Sequence, residues 1–189
     1  RKLYIYRNFH RKFTWLPLGR SQRGQRRIHS TTAEGLTITP YETNIKAALP
    51  TSTLFYRQQH LNFTATTTLK YIPRTEKDLA GITCYQSEKF NYVFGVTKKA
   101  EDSYIVLQRT EKGESSTIAS EKIEGNTPIS LRVTAEGDKY TFSYSVKDSN
   151  YQNVGGTVSG DILSTNVAGG FTGAMIGLYA TTSNDAEAL

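Results

Sequence analysis

The clearest pattern in the chain is an alternation of large apolar and small polar side chains between residues 129 and 146. A period of two places the large side chains on one face of a β-strand, whereas a helical period of about 3.6 would spread them around the circumference. Gly137 lies midway, and glycine supplies the positive φ that a tight turn needs. The pattern therefore predicts a β-hairpin whose inward side chains are Ile129, Leu131, Val133, Tyr140, Phe142, Tyr144 and Val146.

Further strands are predicted where the same period recurs between turn residues, at 35–39, 53–58, 61–71, 81–86, 91–97, 103–109 and 173–180. Turns are expected near Pro73 and at 99–102, 111–114, 124–128, 148–156 and 167–170, and at most one short helix near residues 42–49. The uninterrupted apolar run Tyr104-Ile105-Val106-Leu107 predicts a strand that is buried on both faces. Strands spaced by roughly 10 to 13 residues, without a long amphipathic helix, predict an all-β sandwich or barrel.

The composition agrees with a β-rich globular domain. The 189 residues include 12 Tyr, 8 Phe and 15 Gly, with 37% apolar and 21% charged residues. This balance, and the absence of an apolar stretch of about 20 residues, exclude a disordered chain, a collagen, a coiled coil and a membrane span. Cys84 is the single cysteine of the sequence, so the fold has no internal disulfide.

The positive charge is concentrated near the N-terminus. The formal net charge is +6, but residues 1–27 hold nine of the 23 basic residues and no acidic residue. The remainder has 14 basic against 17 acidic residues and is slightly acidic. A basic nucleic-acid-binding face on the body of the protein is therefore disfavoured. The chain starts at Arg1 rather than Met, as expected of a fragment or a processed product, and no signal peptide is recognisable.

Residues 1–33 are interpreted as a basic, aromatic N-terminal arm or linker, and residues 34–189 as the β-sandwich domain. Aromatic side chains are interspersed with Arg and Lys in the arm, at Tyr4, Tyr6, Phe9, Phe13 and Trp15. Such a mixture is typical of segments that bind nucleic acid or another anionic polymer. The plainer interpretation, which we favour, is a linker or first strand whose aromatic side chains pack on the body.

Most acidic residues lie in predicted turns, where carboxylates face solvent: Glu101, Asp102, Glu111, Glu114, Glu136, Asp138, Asp148 and Asp185. Glycoside hydrolysis needs two carboxylates that face each other across a sugar, so no catalytic pair is expected. The sequence also has neither a nucleophile elbow nor a phosphate-binding loop. Cys84 lies beside Thr83 in an apolar strand, on the same face as Ile82, and is interpreted as a buried, inert thiol. No catalytic residue is assigned.

No metal site and no cofactor are expected. The three histidines have no ligand-like spacing to one another or to Cys84. The oxygen-rich turn Asp148-Ser149-Asn150, with Asn153 beyond it, would suit calcium, but the Glu that closes an EF-hand loop is missing. An Asx turn explains these residues more simply.

Four strings in the sequence together resemble one known family. They are Arg57-Gln58-Gln59-His60, Ala80-Gly81-Ile82-Thr83-Cys84-Tyr85-Gln86, Phe90-Asn91-Tyr92-Val93-Phe94-Gly95-Val96 and Gly169-Gly170-Phe171-Thr172-Gly173-Ala174-Met175-Ile176-Gly177-Leu178-Tyr179-Ala180. Residues 34–183 resemble the C-terminal β-sandwich domain of glycoside hydrolase family 43, the β-xylosidases and α-L-arabinofuranosidases. The Gly-Gly-Phe-Thr-Gly-Ala string is the most specific of the four.

The resemblance implies a concanavalin A-like jelly roll of two antiparallel sheets. In that family the sandwich follows a β-propeller that carries the catalytic carboxylates and cleaves xylosidic or arabinosidic bonds with inversion. Nothing in this chain matches the propeller, so the chain alone is expected to be inactive. The implied function is that of an accessory domain of a bacterial xylan- or arabinan-degrading glycosidase, which buttresses the propeller and shapes its pocket. By this resemblance, Phe171 is expected to contribute to the pocket wall.

Two binding functions stay open beside this one. A free-standing carbohydrate-binding module would need exposed aromatic side chains on a concave face, because rings stack on the apolar faces of sugars. An anionic-polymer binder would use residues 1–27, and its binding would weaken steeply with salt. The expected partners are the catalytic propeller of the same enzyme and a xylo- or arabino-oligosaccharide, with no membrane and no nucleic acid. The compartment is unknown, with the bacterial periplasm or the extracellular space favoured over the cytoplasm.

Overall fold

The computed structural model describes residues 3–6, 29–32, 35–47, 51–124, 128–147, 150–171 and 173–183. Within these ranges the chain forms thirteen β-strands, a 3₁₀ turn at Asp161–Leu163 and a four-residue helix, α1, at Thr165–Ala168. The strands are β1 Leu3–Tyr6, β2 His29–Thr32, β3 Gly35–Ile38, β4 Ser52–Arg57, β5 Asn62–Lys70, β6 Leu79–Ser87, β7 Phe90–Lys99, β8 Asp102–Glu111, β9 Glu114–Lys122, β10 Ile129–Glu136, β11 Lys139–Val146, β12 Gln152–Ser159 and β13 Met175–Thr181.

The strands form two antiparallel sheets with a shared apolar core. One sheet has seven strands in the order β12-β11-β10-β5-β1-β3-β2, and the other has six in the order β4-β13-β6-β7-β8-β9. Each sheet contributes one face to a single cluster of buried apolar side chains. The predicted two-sheet antiparallel β-sandwich is therefore confirmed.

The core follows directly from the alternating pattern in the sequence. The hairpin β10–β11 forms as predicted, with Gly137 in its turn at a φ of +63°. Phe142 of this hairpin is fully buried and meets two rings of the opposite sheet, Tyr92 at 5.8 Å and Phe94 at 5.4 Å between centroids. Burial of one such ring contributes about 1.5–3 kcal/mol to stability. The facing apolar rows therefore hold the two sheets together.

Strand β8 is buried on both faces, as its uninterrupted apolar run predicts. Ile105 and Leu107 point into the core between the sheets, and both are fully buried. Val106 points to the opposite face of the sheet, where it joins a second apolar cluster that includes Phe55, Val93, Met175 and Tyr179. The six-stranded sheet therefore carries apolar side chains on both of its faces.

Two strands that lie at sheet edges differ from the prediction. The sequence pattern does not predict β9, and it assigns a turn to residues 148–156, where β12 begins at Gln152. Most side chains of both strands are exposed, so neither shows the apolar alternation on which the prediction depends. In β12 a register shift opposite Thr141 and Phe142 accompanies Gly155 and Gly156, which both have positive φ and resemble turn residues in the sequence.

The short helix lies elsewhere than expected. Residues 42–47 form a bend and a turn rather than a helix, and 48–50 lie outside the described residues. The helix α1 instead occupies Thr165–Ala168 and overlaps the turn predicted at 167–170. Ser164 initiates it, because the Ser164 hydroxyl accepts a hydrogen bond from the Val167 backbone N–H at 3.3 Å.

Two short strands lie within the range 1–33 that the sequence assigns to an arm. Strand β1 pairs with β3 and β5, and β2 pairs with β3, all in the seven-stranded sheet. Residues 3–6 and 29–32 therefore pair with strands of the sandwich. Residues 7–28, which hold most of the arginines of this range, lie outside the described residues. The boundary at residue 33 stays a prediction.

Asp78 is a buried carboxylate that fastens three segments of the sandwich together. Its side chain accepts hydrogen bonds from the Arg74 backbone N–H at 2.8 Å and from the hydroxyls of Thr75 and Thr182, each at 2.9 Å. Its backbone carbonyl accepts a bond from the Thr97 hydroxyl at 2.7 Å. Burial acts to raise the pKa of the carboxyl, but the hydrogen bonds favour its charged form and hold the pKa below its ordinary value of 3.8.

Replacing Asp78 with Asn is expected to lower the free energy of unfolding by about 2 kcal/mol at pH 7, because hydrogen bonds to a charged acceptor are lost. Since the folded-state pKa is lowered, this contribution is fully present above about pH 5 and is lost as the pH falls through the folded pKa. Urea unfolding at a series of pH values measures the difference in the free energy of unfolding between the wild type and Asp78→Asn. This difference should be constant near neutral pH and should vanish in acid. Asp138→Asn, at an exposed carboxylate, is the matched control and should change nothing. Equal stability of Asp78→Asn and the wild type at pH 7 would contradict the expectation.

Candidate functional site

The segment between β12 and β13 presents one aromatic side chain on a glycine loop. After α1 the chain passes through Gly169 and Gly170, with φ of +73° and +76°, and Gly173 follows with φ of +70°. Side chains other than glycine are strained at these backbone angles. The three glycines therefore allow a tight turn that places Phe171 at its tip.

Gln86 anchors this loop to the six-stranded sheet. The Gln86 side chain is 5% exposed at the end of β6, and its Nε2 donates a hydrogen bond to the Gly169 carbonyl at 2.6 Å. A register shift between Tyr85 and Ser87 accompanies this position of Gln86. The bond satisfies a buried amide and fixes the point at which the loop leaves α1.

Phe171 lies entirely outside the core. Its relative exposure is 103%, and strand β13 begins only at Met175. Two further large apolar side chains of this region are exposed, Leu61 at 72% and Val167 at 45%. An aromatic ring held in water next to other apolar side chains is typical of a contact surface rather than of a folding core. The contribution of Phe171 to a substrate pocket stays a prediction.

A groove of about 530 Å³ lies beside the loop. Its walls include Gln58 and Leu61 from the β4–β5 connection and Gly173 and Ala174 from the glycine loop. The two walls are joined, because the Gln58 backbone N–H donates to the Ala174 carbonyl at 3.0 Å. The groove is therefore a fixed feature at the same end of the sandwich as Phe171.

A buried tyrosine supports the groove from below. The Tyr140 hydroxyl donates to Gln58 Oε1 at 2.8 Å, which orients the amide at the groove wall. Burial raises the pKa of Tyr140 to about 12, so the phenol stays protonated and acts as a donor. The amide and hydroxyl groups here can orient a partner by hydrogen bonds.

The acidic residues of the predicted turns face solvent or a neighbouring cation. Glu101, Glu114, Glu136 and Asp138 are exposed. The ion pairs are Lys98–Glu101 at 3.2 Å, Lys122–Asp102 at 2.8 Å and Arg109–Glu111 at 2.6 Å. Asp148 and Asp185 lie outside the described residues. The described carboxylates of these predicted turns are therefore engaged in solvation and surface pairing. The absence of a catalytic residue stays a prediction.

The thiol of Cys84 is buried, as its position in the strand predicts. Cys84 is 1% exposed and belongs to the core together with Ile82. Burial raises the pKa of the thiol to about 12, which suppresses the nucleophilic thiolate.

The structure describes only part of the turn that was considered for calcium. Asp148 and Ser149 lie outside the described residues, whereas Asn150 and Asn153 are exposed, Asn153 within β12. Among the residues that the structure describes, no group of three or more His, Cys, Asp or Glu could hold a metal ion. No helix in the same part of the chain is sufficiently long and apolar to cross a bilayer.

Comparison with known proteins assigns the fold and the family together. The family model described as "Beta xylosidase C-terminal Concanavalin A-like domain" matches residues 12–188. The chain belongs to this family. The match confirms the resemblance carried by the four strings and reaches further toward the N-terminus than residue 34. It also identifies the two-sheet sandwich as concanavalin A-like.

Individual relatives agree with this assignment. The chain is 28% identical over 131 residues to "Non-reducing end alpha-L-arabinofuranosidase BoGH43B" of Bacteroides ovatus, covering 69% of this chain and 24% of that protein. A GH43_12 structure from a capybara gut metagenome matches with 39% identity and a TM-score of 0.75, over 82% of this chain and 30% of that chain. The Bacteroides ovatus xyloglucan GH43B structure matches with 26% identity and a TM-score of 0.76, over 82% and 31%. This sandwich domain therefore spans about a quarter to a third of the length of these relatives.

The sequence alone did not reveal every part of the site. Gln58 and Gln86 stand in strings that carry the resemblance, yet no role follows for them from the sequence, because their partners lie 82 and 83 residues away. Leu61 is the first residue of the strand predicted at 61–71, but it precedes β5 and faces solvent. Gln86 is a polar residue at the end of an otherwise apolar strand, and this change of polarity is the sequence signal that could have identified it.

Replacing Gln86 with Met keeps the length of the side chain but removes the donor to Gly169. We expect backbone amide exchange at 169–174 to accelerate by about fivefold, because one hydrogen bond of about 1 kcal/mol is lost locally. Exchange in the core strands should not change. Hydrogen–deuterium exchange with mass spectrometry measures both regions in one experiment. Gln108→Met, at a position in β8 of the same sheet, is the control, and unchanged exchange at 169–174 in Gln86→Met would rule out the anchor.

Proposed function

We propose that this chain is the accessory sandwich of a family 43 β-xylosidase or arabinofuranosidase, which packs against the catalytic propeller and contributes Phe171 to the wall of its active-site pocket. The observation that supports the proposal is the complete exposure of the Phe171 ring on a loop with a defined backbone. The relatives bear names of arabinofuranosidase and GH43 proteins, and the matched part is about a quarter to a third of their length. Their additional length leaves room for a catalytic domain.

An exposed phenylalanine favours contact with a second surface. Burial of a Phe side chain contributes about 1.5–3 kcal/mol, and this gain is not realised in the isolated sandwich. Leu61 beside the groove and Val167 in α1 are exposed as well. Covering these side chains would stabilise a complex in which the partner binds this end of the sandwich rather than the face of a sheet.

The fixed backbone of the loop suits a role in a pocket wall. Gly169 is held by Gln86, and the preceding helix turn is capped by Ser164. A side chain presented in one direction reduces the entropy that is lost when a substrate or a partner is bound. A ring at the rim of a sugar pocket excludes water and stacks on the apolar face of a pyranose or furanose. In this role the domain supplies shape and no reacting group.

The two other binding functions are not favoured by the comparisons, since the matched family consists of C-terminal domains of β-xylosidases. A carbohydrate-binding module would be retarded in a native gel that contains arabinoxylan, and the retardation would survive moderate salt. Binding of an anionic polymer through residues 1–27 would instead decline steeply as salt is raised. The xylo- or arabino-oligosaccharide that we propose as substrate binds at the pocket of the assembled enzyme.

In the full-length enzyme, Phe171→Ala is expected to lower kcat/KM for nitrophenyl xyloside or arabinofuranoside by about tenfold, mainly through KM, because about 1.4 kcal/mol of apolar contact is lost. The unfolding temperature of the isolated sandwich should not change, since the ring is outside its core. Ile118→Ala, at an exposed apolar position on the edge strand β9, is the control. Kinetic constants equal to those of the wild type would exclude the pocket role.

Removing the sandwich from the same enzyme should lower the unfolding temperature of the propeller and its hydrolysis of both nitrophenyl glycosides, since an apolar surface is then left uncovered. The isolated sandwich should hydrolyse neither. If the propeller alone is as active and as stable as the whole enzyme, the buttress role is wrong.

A further inference from the structure

A second cavity, of about 410 Å³, lies between the two sheets. One wall is formed by Phe63, Ala65 and Thr67 of β5, and the other by the apolar side chains of Ile82, Ile176 and Leu178. These residues belong to the inner faces of the sandwich or pack against its core. Gln58, Gln59 and His60 line this cavity and also the groove beside the glycine loop. The cavity therefore lies between the sheets and opens to solvent where the exposed residues Gln59, His60 and Thr64 line it.

The hydroxyl of Thr67 is unsatisfied within this cavity. Thr67 is 4% exposed, and its Oγ1 has no hydrogen-bond partner in the part of the chain that the structure describes. An unsatisfied buried hydroxyl costs about 1–3 kcal/mol. Thr83 of β6 shows the usual arrangement, because its buried hydroxyl donates to the Tyr92 carbonyl at 2.9 Å. Thr67 thus offers one donor and one acceptor to a molecule in the cavity.

The lining excludes two classes of ligand. No Asp, Glu, Lys or Arg is among the described lining residues, so a charged group inside would be uncompensated. A sugar carries several hydroxyls, whereas Thr67 has the one polar side chain among the lining residues that are buried, since Thr64 is exposed and Thr66 half-buried. Each further hydroxyl left without a partner would cost about 1–3 kcal/mol. The buried part of a ligand must therefore be apolar, with one hydrogen-bonding group.

The shape of the space favours an aromatic ring. Packed sheets lie about 10 Å apart, so a gap between them is a flat layer one side chain thick. The rings of Tyr56 and Phe63 line this layer. A cavity of about 150 Å³ lined by apolar side chains suffices to bind benzene in another protein, so a substituted ring fits here.

We propose that this cavity is a binding site for a neutral phenolic molecule, whose ring lies between the sheets and whose hydroxyl pairs with Thr67. A polar substituent on the ring would reach Gln58, Gln59 and His60. The site does not depend on the proposed accessory function, because all its described walls belong to this chain.

Binding of three probes to the 189-residue chain tests the proposal: 4-methylphenol, toluene and 1-hexanol, each titrated by saturation-transfer NMR. We expect the Kd for 4-methylphenol to be about threefold to tenfold lower than that for toluene, which lacks only the hydroxyl. Hexanol should bind more weakly than either, because it does not fill a flat layer. Equal affinities for 4-methylphenol and toluene, binding of hexanol as tight as that of the phenol, or no binding of any probe would overturn the proposal.

Two threonine variants isolate the hydroxyl. Thr67→Val should abolish the preference for 4-methylphenol over toluene without lowering the unfolding temperature, because it removes a hydroxyl that has no partner. Thr83→Val makes the same change at a buried hydroxyl with a partner, and it should lower the unfolding temperature but keep the preference. Ala65→Leu fills the cavity from the β5 wall and should abolish binding of all three probes. A preference that persists in Thr67→Val would overturn the assigned hydrogen bond.

Discussion

The hydrogen bond from the Gln86 amide to the Gly169 carbonyl, at 2.6 Å, joins two of the strings that carry the family resemblance. Gln86 is the last residue but one of β6, which is paired on both sides in the six-stranded sheet. Gly169 begins the loop that presents Phe171. The bond therefore transmits the rigidity of the sheet to a segment rich in glycine. Glycine residues lose more backbone entropy on ordering than any others, so an unanchored loop would sample many directions for its ring.

The fold was largely predictable because its inner strands repeat one simple signal. Where a strand buries one face, large side chains recur every second residue, as in β10 and β11. Where it buries both faces, the run is continuous, as in β8. Most side chains of the edge strands β9 and β12 are exposed, so their sequences lack the alternation of apolar and polar residues. They pair with β8 and β11 through backbone hydrogen bonds, which leave no pattern in the side chains.

The site was less predictable than the fold for a related reason. Phe171 was found through a family resemblance, since a single phenylalanine among glycines gives no periodic signal. Its exposure follows from the start of β13 at Met175, four residues later. The roles of Gln58, Gln86 and Thr67 depend on hydrogen bonds that each makes, or does not make, with residues distant in the sequence. Such properties arise only from tertiary packing, whereas burial of Cys84 could be read from its apolar strand.

The burial of Cys84 has a practical consequence for spectroscopy. Cys84 is the single cysteine in the sequence, and with a pKa of about 12 only roughly one thiol in a hundred thousand is ionised at neutral pH. Maleimide and nitroxide reagents react with accessible thiolates, so the native protein is close to inert toward them. A cysteine introduced at the tip of the glycine loop, as Phe171→Cys, would be the one reactive position. The chain thus offers a background-free attachment point from which distances to any second domain can be recorded.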